Sequence, residues 1–217
     1  MEGMRMSVRM LKECLTIILK IDDMDKKSIK GTLTEQNLLK AFAGESQARN
    51  RYTIFAEVAR EEGYEQIASI FMETAEQEFS HAKGFFSYLD EGMLEITASY
   101  PAGPVADTAR NLREAAAGEH EEWADMYVEF SRVAREEGFN AIANLFANIA
   151  IVEQSHEARY LKLLARMESG QVFADPDANT QWQCRYCGYI HTGKQAPRAC
   201  PVCRKPQAYF QRRQENF

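Results

Sequence analysis

The chain has 217 residues, 45% of them apolar, which is enough for one medium domain with a real core plus a small one. A net charge of −6 argues against nucleic acid as the main partner. That charge is unevenly spread: from Trp182 onward seven Lys/Arg stand beside a single acid, a net +6, which leaves −12 for the rest. A basic tail and an acidic body lead us to expect electrostatic docking of one on the other, within or between chains.

Residues 1–30 read as an N-terminal extension outside any core. Five of the nine methionines fall in the first 24 positions. Leu11 to Leu19 is mostly apolar, but Lys12 and Glu13 interrupt it, and it is far shorter than the roughly 20 residues of a membrane span. No small-residue cleavage site follows, which argues against a signal peptide. Cys14 reads as a spare apolar thiol.

From residue 31 to 169 the helical period dominates. Thr32 and Glu35 fit a capping box, and the first helix runs to Gly63, placed as a C-terminal stop. A second helix is predicted from Tyr64 to Glu91. Gly92 to Asp107, with Pro101, Gly103 and Pro104, is a long connection. A third helix is predicted from Thr108 to Glu137, stopped by Gly138, and a fourth from Phe139 to Glu168. Two short turns and one long connection fit an all-α four-helix bundle with one crossover.

The two halves repeat. Ala59-Arg60-Glu61-Glu62-Gly63 recurs as Ala134-Arg135-Glu136-Glu137-Gly138, an offset of 75, and Tyr52, Glu78 and His81 recur at the same offset as Tyr127, Glu153 and His156. Ala43-Gly44-Glu45 recurs as Ala117-Gly118-Glu119 at 74, so a slip of one residue separates these landmarks. Each hairpin thus carries a Glu on its first helix and a Glu-x-x-His on its second.

Glu and His three apart on a helix project from one face. Glu78 and His81 lie on the stripe Ile67, Phe71, Thr74, Phe85, Tyr88; Glu153 and His156 lie on Ile142, Phe146, Ile149, Tyr160, Leu163. A carboxylate on an apolar stripe is costly unless it meets a cation. The candidates Glu45, Glu78, His81, Glu119, Glu153 and His156, with Glu122 one turn beyond Glu119, therefore point to a pair of metal ions. Glu122 has Ala48 as its repeat partner and is an asymmetric addition. Hard oxygen ligands with two imidazoles suit iron or manganese, and a Glu from each of two helices plus Glu-x-x-His from the others is the di-iron or di-manganese carboxylate pattern. Tyr52 and Tyr127 lie two turns beyond Glu45 and Glu119, as hydrogen-bond partners behind the ligands or as ordinary core tyrosines. His120 and His191 read as surface residues.

Residues 170–181 read as a linker and 182–217 as a small module. Cys184-x-x-Cys187 and Cys200-Pro-Val-Cys203 form two knuckles of a tetrahedral four-sulfur site, with Trp182, Tyr186, Tyr189, Tyr209 and Phe210 as a small aromatic core. Spacing alone favours a structural zinc ribbon, while a single iron would serve a redox centre nearby. Four of five cysteines in such pairs indicate metal binding in a reducing cytoplasm, not disulfides.

The stretch Ala-Phe-Ala-Gly-Glu-Ser-Gln-Ala-Arg-Asn-Arg-Tyr (41–52), the ligand set with Glu122, and Trp-Gln-Cys-Arg-Tyr-Cys-Gly-Tyr followed by Cys-Pro-Val-Cys together resemble the rubrerythrin family, from about Thr34 to Phe210. The resemblance implies a ferritin-like di-iron domain followed by a rubredoxin-like domain. It also implies a cytoplasmic non-haem di-iron peroxidase that reduces hydrogen peroxide to water. Glu78 and Glu153 would bridge the irons, and Glu45, Glu119 and His156 would be terminal. Glu122 and His81 would alternate on one iron with its oxidation state. Electrons would pass through the four-cysteine iron, in a head-to-tail homodimer or higher homo-oligomer. The twelve glycines include no Gly-x-Gly, so reducing equivalents should arrive from rubredoxin or a separate NAD(P)H-dependent reductase. The rival expectation is a ferroxidase or iron-handling protein of the ferritin class whose tail is a structural zinc ribbon.

Overall fold

The structure, a computed structural model, describes residues 27–215. The methionine-rich stretch and Cys14 lie outside the described residues. Helices α1 (Leu33–Glu61) and α2 (Glu65–Phe86) form one hairpin. The second hairpin is α3 (Thr108–Glu121), a π-helical turn (Glu122–Met126), α4 (Tyr127–Glu136) and α5 (Asn140–Glu168). The result is a ferritin-like four-helix bundle.

Local signals explain the ends of these helices. The Thr32 hydroxyl accepts from the Glu35 amide at 3.1 Å, and the Glu35 carboxylate accepts from the Gly31 amide at 2.8 Å, one residue earlier than a strict capping box. Gly63 and Gly138 close α1 and α4 at φ +84° and +83°. The amide after each (Tyr64, Phe139) reaches back to Ala59 and Ala134, the same lock at both repeat positions.

Three sequence expectations need correction. First, α2 ends at Phe86, not Glu91. The Ser87 hydroxyl donates to the Gly84 carbonyl, and the amides of Tyr88 and Leu89 bond only three residues back. The chain turns there, packing Leu89 against the core and leaving Tyr88 exposed. Second, the third rod is not a continuous α-helix: the π turn absorbs the one-residue slip between the repeats, since Glu119 and Tyr127 are eight apart where Glu45 and Tyr52 are seven. Third, Ile29, placed in the extension, is buried among Leu38, Phe85, Phe139 and Ile142. Its carbonyl accepts from the amide and hydroxyl of Thr32, which folds the chain back onto the bundle.

Two apolar clusters fill the bundle. One, at the α1–α2 turn end, centres on Tyr52, Phe55, Phe71, Leu112 and Tyr160; the other gathers Leu38, Phe85, Tyr127, Phe146 and Ile149. The buried acids lie between them. The connection after α2 is strapped to α1: Tyr100 donates to the Lys40 carbonyl at 2.8 Å, and Gln47 donates to the Pro101 carbonyl at 2.7 Å.

The tail forms a three-stranded antiparallel sheet, order β2-β1-β3, from β1 (Gln181–Cys184), β2 (Ile190–Thr192) and β3 (Phe210–Arg212). Trp182 and Phe210 are its buried centre, and the Trp182 indole donates to the Gly193 carbonyl at 2.7 Å. Tyr186 departs from the predicted aromatic core: it is 65% exposed, under Lys205, and Phe173 from the linker packs there instead. Phe173 also stacks on Tyr64, ring centroids 6.1 Å apart, joining module to bundle by an apolar contact. Among the described residues, the tail's arginines pair with Asp175 and Glu215, not with acids of the bundle.

Candidate metal centres

The acids are buried at the level where the helices face each other. Glu45, Glu78, Glu119 and Glu153 are at most 1% exposed and His156 is 3% exposed. Their donor atoms form two groups, each within 4.8 Å: Glu45, Glu78, His81 and Glu153, and Glu78, Glu119, Glu153 and His156. Glu78 and Glu153 belong to both. The expected residues thus come together as two adjacent positions joined by two carboxylates. Glu122 lies outside both groups, half-buried in the π turn.

The hydrogen bonding of these groups fits a cation at each position. Nδ1 of His156 stands 2.8 Å from Glu153, 3.2 Å from Glu78 and 3.5 Å from Glu119. Yet that nitrogen, Glu45 Oε2, Glu78 Oε1, Glu119 Oε2 and both Glu153 oxygens make no hydrogen bond of acceptable geometry. Buried lone pairs that converge without a proton between them fit metal ions. Nδ1 of His81 is turned inward, 2.9 Å from Glu78, 2.8 Å from Glu153 and 3.9 Å from Glu45.

Charge repulsion shows in the proton affinities. Burial lifts the Glu45 carboxyl well above its usual range, and the charges of Glu153, Glu78 and Glu122 lift it further. Glu119 rises to about 8 through burial, the nearby His156 imidazole opposing and Glu78 and Glu153 reinforcing. Glu122 is raised by burial and then by Glu119, Glu153 and Glu78. Burial also opposes the ionised form of Glu78, but the close imidazoles of His156 and His81 bring it down to about 2. Both imidazoles are lifted against their own burial by facing carboxylates, His81 to about 9 and His156 to about 12.

Both tyrosines hold ligands across the bundle. Tyr52 of α1 donates to Glu119 of α3 at 2.6 Å, and Tyr127 of α4 donates to Glu45 of α1. Sequence reasoning missed Gln77 and Arg159. Gln77 Oε1 lies 2.9 Å from His156 Nε2, so it accepts that N–H and leaves Nδ1 free to ligate. Arg159 donates to Thr74 at 2.6 Å and to Gln77 at 3.3 Å, fixing the amide. Their positions, one before Glu78 and three after His156, were the available signal. His120, expected at the surface, is exposed but bonded: Nδ1 is 3.0 Å from Glu157 Oε1.

In the tail, all four sulfur atoms lie within 4.8 Å of one another, with Cys184–Cys203 at 3.7 Å and Cys187–Cys200 at 3.5 Å. A tetrahedral ion with sulfur ligands at about 2.3 Å puts its sulfurs about 3.8 Å apart, close to these spacings. Burial pushes the Cys200 thiol up, but the backbone amides of Cys203 and Val202 bring it down to about 7.

The family model described as Rubrerythrin matches residues 36–164, and that described as "Rubrerythrin, rubredoxin-like domain" matches 182–211. The rubrerythrin of Porphyromonas gingivalis is 62% identical over 191 residues, 88% of this chain and 95% of its own length. This chain belongs to the rubrerythrin family. The rubrerythrin of Nitratidesulfovibrio vulgaris is 52% identical, over 85% of this chain and 96% of its own. Among solved structures, the fully reduced, all-ferrous state of nigerythrin is similar at a TM-score of 0.57 and 35% identity, covering 88% of this chain and 91% of that one. The rubrerythrin cofactor is iron, and the two donor sets here fit it: a di-iron carboxylate–imidazole site in the bundle and a four-cysteine site in the tail. Among the described residues no helix is long and apolar enough to cross a membrane.

Proposed function

We propose that this rubrerythrin reduces hydrogen peroxide to water in the bundle, on electrons relayed through its four-cysteine site from an external donor, rubredoxin or an NAD(P)H-dependent reductase. The observation that carries this reading is the pairing, in one chain, of a two-centre site sharing Glu78 and Glu153 with a four-thiolate module. When bound, the two irons supply the two electrons that H2O2 + 2e− + 2H+ → 2H2O consumes.

The protein's own groups set the rest. Glu78 and Glu153 would be shared by the two irons, Glu45 and Glu119 would each serve one with a tyrosine hydroxyl behind it, and Gln77 holds the His156 ring. His81 and Glu122 would alternate at one position, and here the imidazole is the one turned in. The module sits against the Tyr64 end of α2, and Glu78 is thirteen residues on from Glu65, roughly 20 Å along the axis. That separation supports electron delivery to the site of a second copy in a head-to-tail homodimer.

The test is iron and zinc content of anaerobically purified protein, its visible spectrum, and one addition of peroxide after reduction. The expected result is about three irons per chain, a thiolate-to-iron colour that bleaches on reduction, and stoichiometric reoxidation. Two irons with one zinc and no bleaching would move the function to ferroxidase or iron handling.

A further inference from the structure

We propose that Glu157 is a positioning residue: through Trp123 and His120 it anchors the π turn, and so sets where Glu122 stands relative to the metal site. The Trp123 indole N–H donates to Glu157 Oε2 at 2.6 Å, while Oε1 lies 3.0 Å from Nδ1 of His120. The two rings meet edge to face with centroids 5.1 Å apart. The Glu157 side chain is only 17% exposed, unusual for a glutamate that ligates nothing. It directly follows His156 on α5, and Trp123 directly follows Glu122. One carboxylate thus ties the turn to the helix that carries a ligand.

The repeat supplies an internal control. At the matching positions the first hairpin has Ser46 for His120, Arg49 for Trp123 and Ala82 for Glu157. There α1 stays α-helical throughout, and a groove of about 460 Å³ opens where the clamp would be. A π turn is rare, and those that occur cluster at functional sites. Here the clamp, the turn and the extra acid occur together in one half and are all missing from the other.

The test begins on metal-free protein, by hydrogen exchange of amides 122–126 in wild type, Glu157→Ala, Glu157→Gln and Trp123→Phe. Glu157→Ala and Trp123→Phe should each speed exchange there by about tenfold, the loss of one charge-assisted hydrogen bond, with the matching amides 48–52 of α1 unchanged. Glu157→Gln should stay closer to wild type than Glu157→Ala, because its carbonyl still accepts from Trp123. Unchanged exchange in both Glu157→Ala and Trp123→Phe overturns the anchor. A glutamine variant as fast as the alanine one would keep Glu157 as the anchor and assign its hold to the carboxylate's charge.

The kinetic arm rests on the peroxidase reading. In the iron-loaded protein Glu157→Ala should lower kcat for peroxide several-fold at unchanged KM, and Glu157→Gln should restore it. Loosened amides with unaltered kcat would sink the link to Glu122. A wild type that does not turn over peroxide at all would sink the function and leave the exchange result to decide the anchor.

Discussion

The two hairpins of the bundle are copies that differ at one level. Both place Glu and Glu-x-x-His on the buried stripe, both end their first rod at a glycine of positive φ, and each sends a tyrosine hydroxyl to a glutamate of the other. Only the second carries an inserted residue, taken up as a π turn, with Glu122 on it and the His120–Trp123–Glu157 contact behind it. The shared features build a site that holds two cations symmetrically. The unshared ones confine the half-buried Glu122, and the contact behind it, to one half.

Symmetry is tested most severely at the shared carboxylates. Glu78→Ala and Glu153→Ala should each cut metal in the bundle from two per chain to below one, equally in the two variants, while the four-cysteine metal stays, as elemental analysis would read. An unequal loss would mean that the two groups do not share these residues equally. Glu122→Ala tests the asymmetry: two metals should remain, and peroxide turnover should fall at least about tenfold, an increase of about 1.4 kcal/mol in the barrier. Unchanged kinetics would remove Glu122 from the mechanism.

Without metal, the site should make stability pH-dependent with a definite sign. Glu119 (4.5 to about 8) and His81 (6.5 to about 9) bind protons more tightly in the folded state, so stability falls as pH rises through those windows. Glu78, lowered from 4.5 to about 2, gives stability above 4.5 that is lost on acidification. The melting temperature of metal-free protein should therefore be higher at pH 6 than at pH 9. Metal should reverse that order, because its ligands must be deprotonated. Calorimetry at both values, with and without iron, decides it. The tyrosines test the shared half of the comparison: Tyr52→Phe and Tyr127→Phe should each cost about 1–3 kcal/mol in denaturant titrations of the metal-free protein, and the same amount in both halves.

Much of this was legible because helix periodicity puts residues three or four apart on one face, and the repeat shows which of them matter. The bundle, the two Glu-x-x-His pairs and the four cysteines follow from spacing alone. What escaped was set by contacts between elements. The early end of α2 depends on Leu89 finding the core, and Ile29 is buried only because the chain turns back at Thr32. Gln77 and Arg159 matter through a hydrogen-bond chain spanning two helices. The one-residue slip was visible as an offset of 74 against 75, but only backbone geometry converts it into a π turn.

The exchange of tyrosines has a consequence for how such a chain could assemble. Tyr52 is satisfied by Glu119 and Tyr127 by Glu45, so a lone hairpin would bury an idle hydroxyl opposite nothing and leave its own carboxylate without a donor. Two hairpins brought together supply each other in full. The strap from Gly92 to Asp107 is then a tether, not a structural necessity, and a chain severed within it should reassemble by fragment complementation, each piece serving as the template that completes the other.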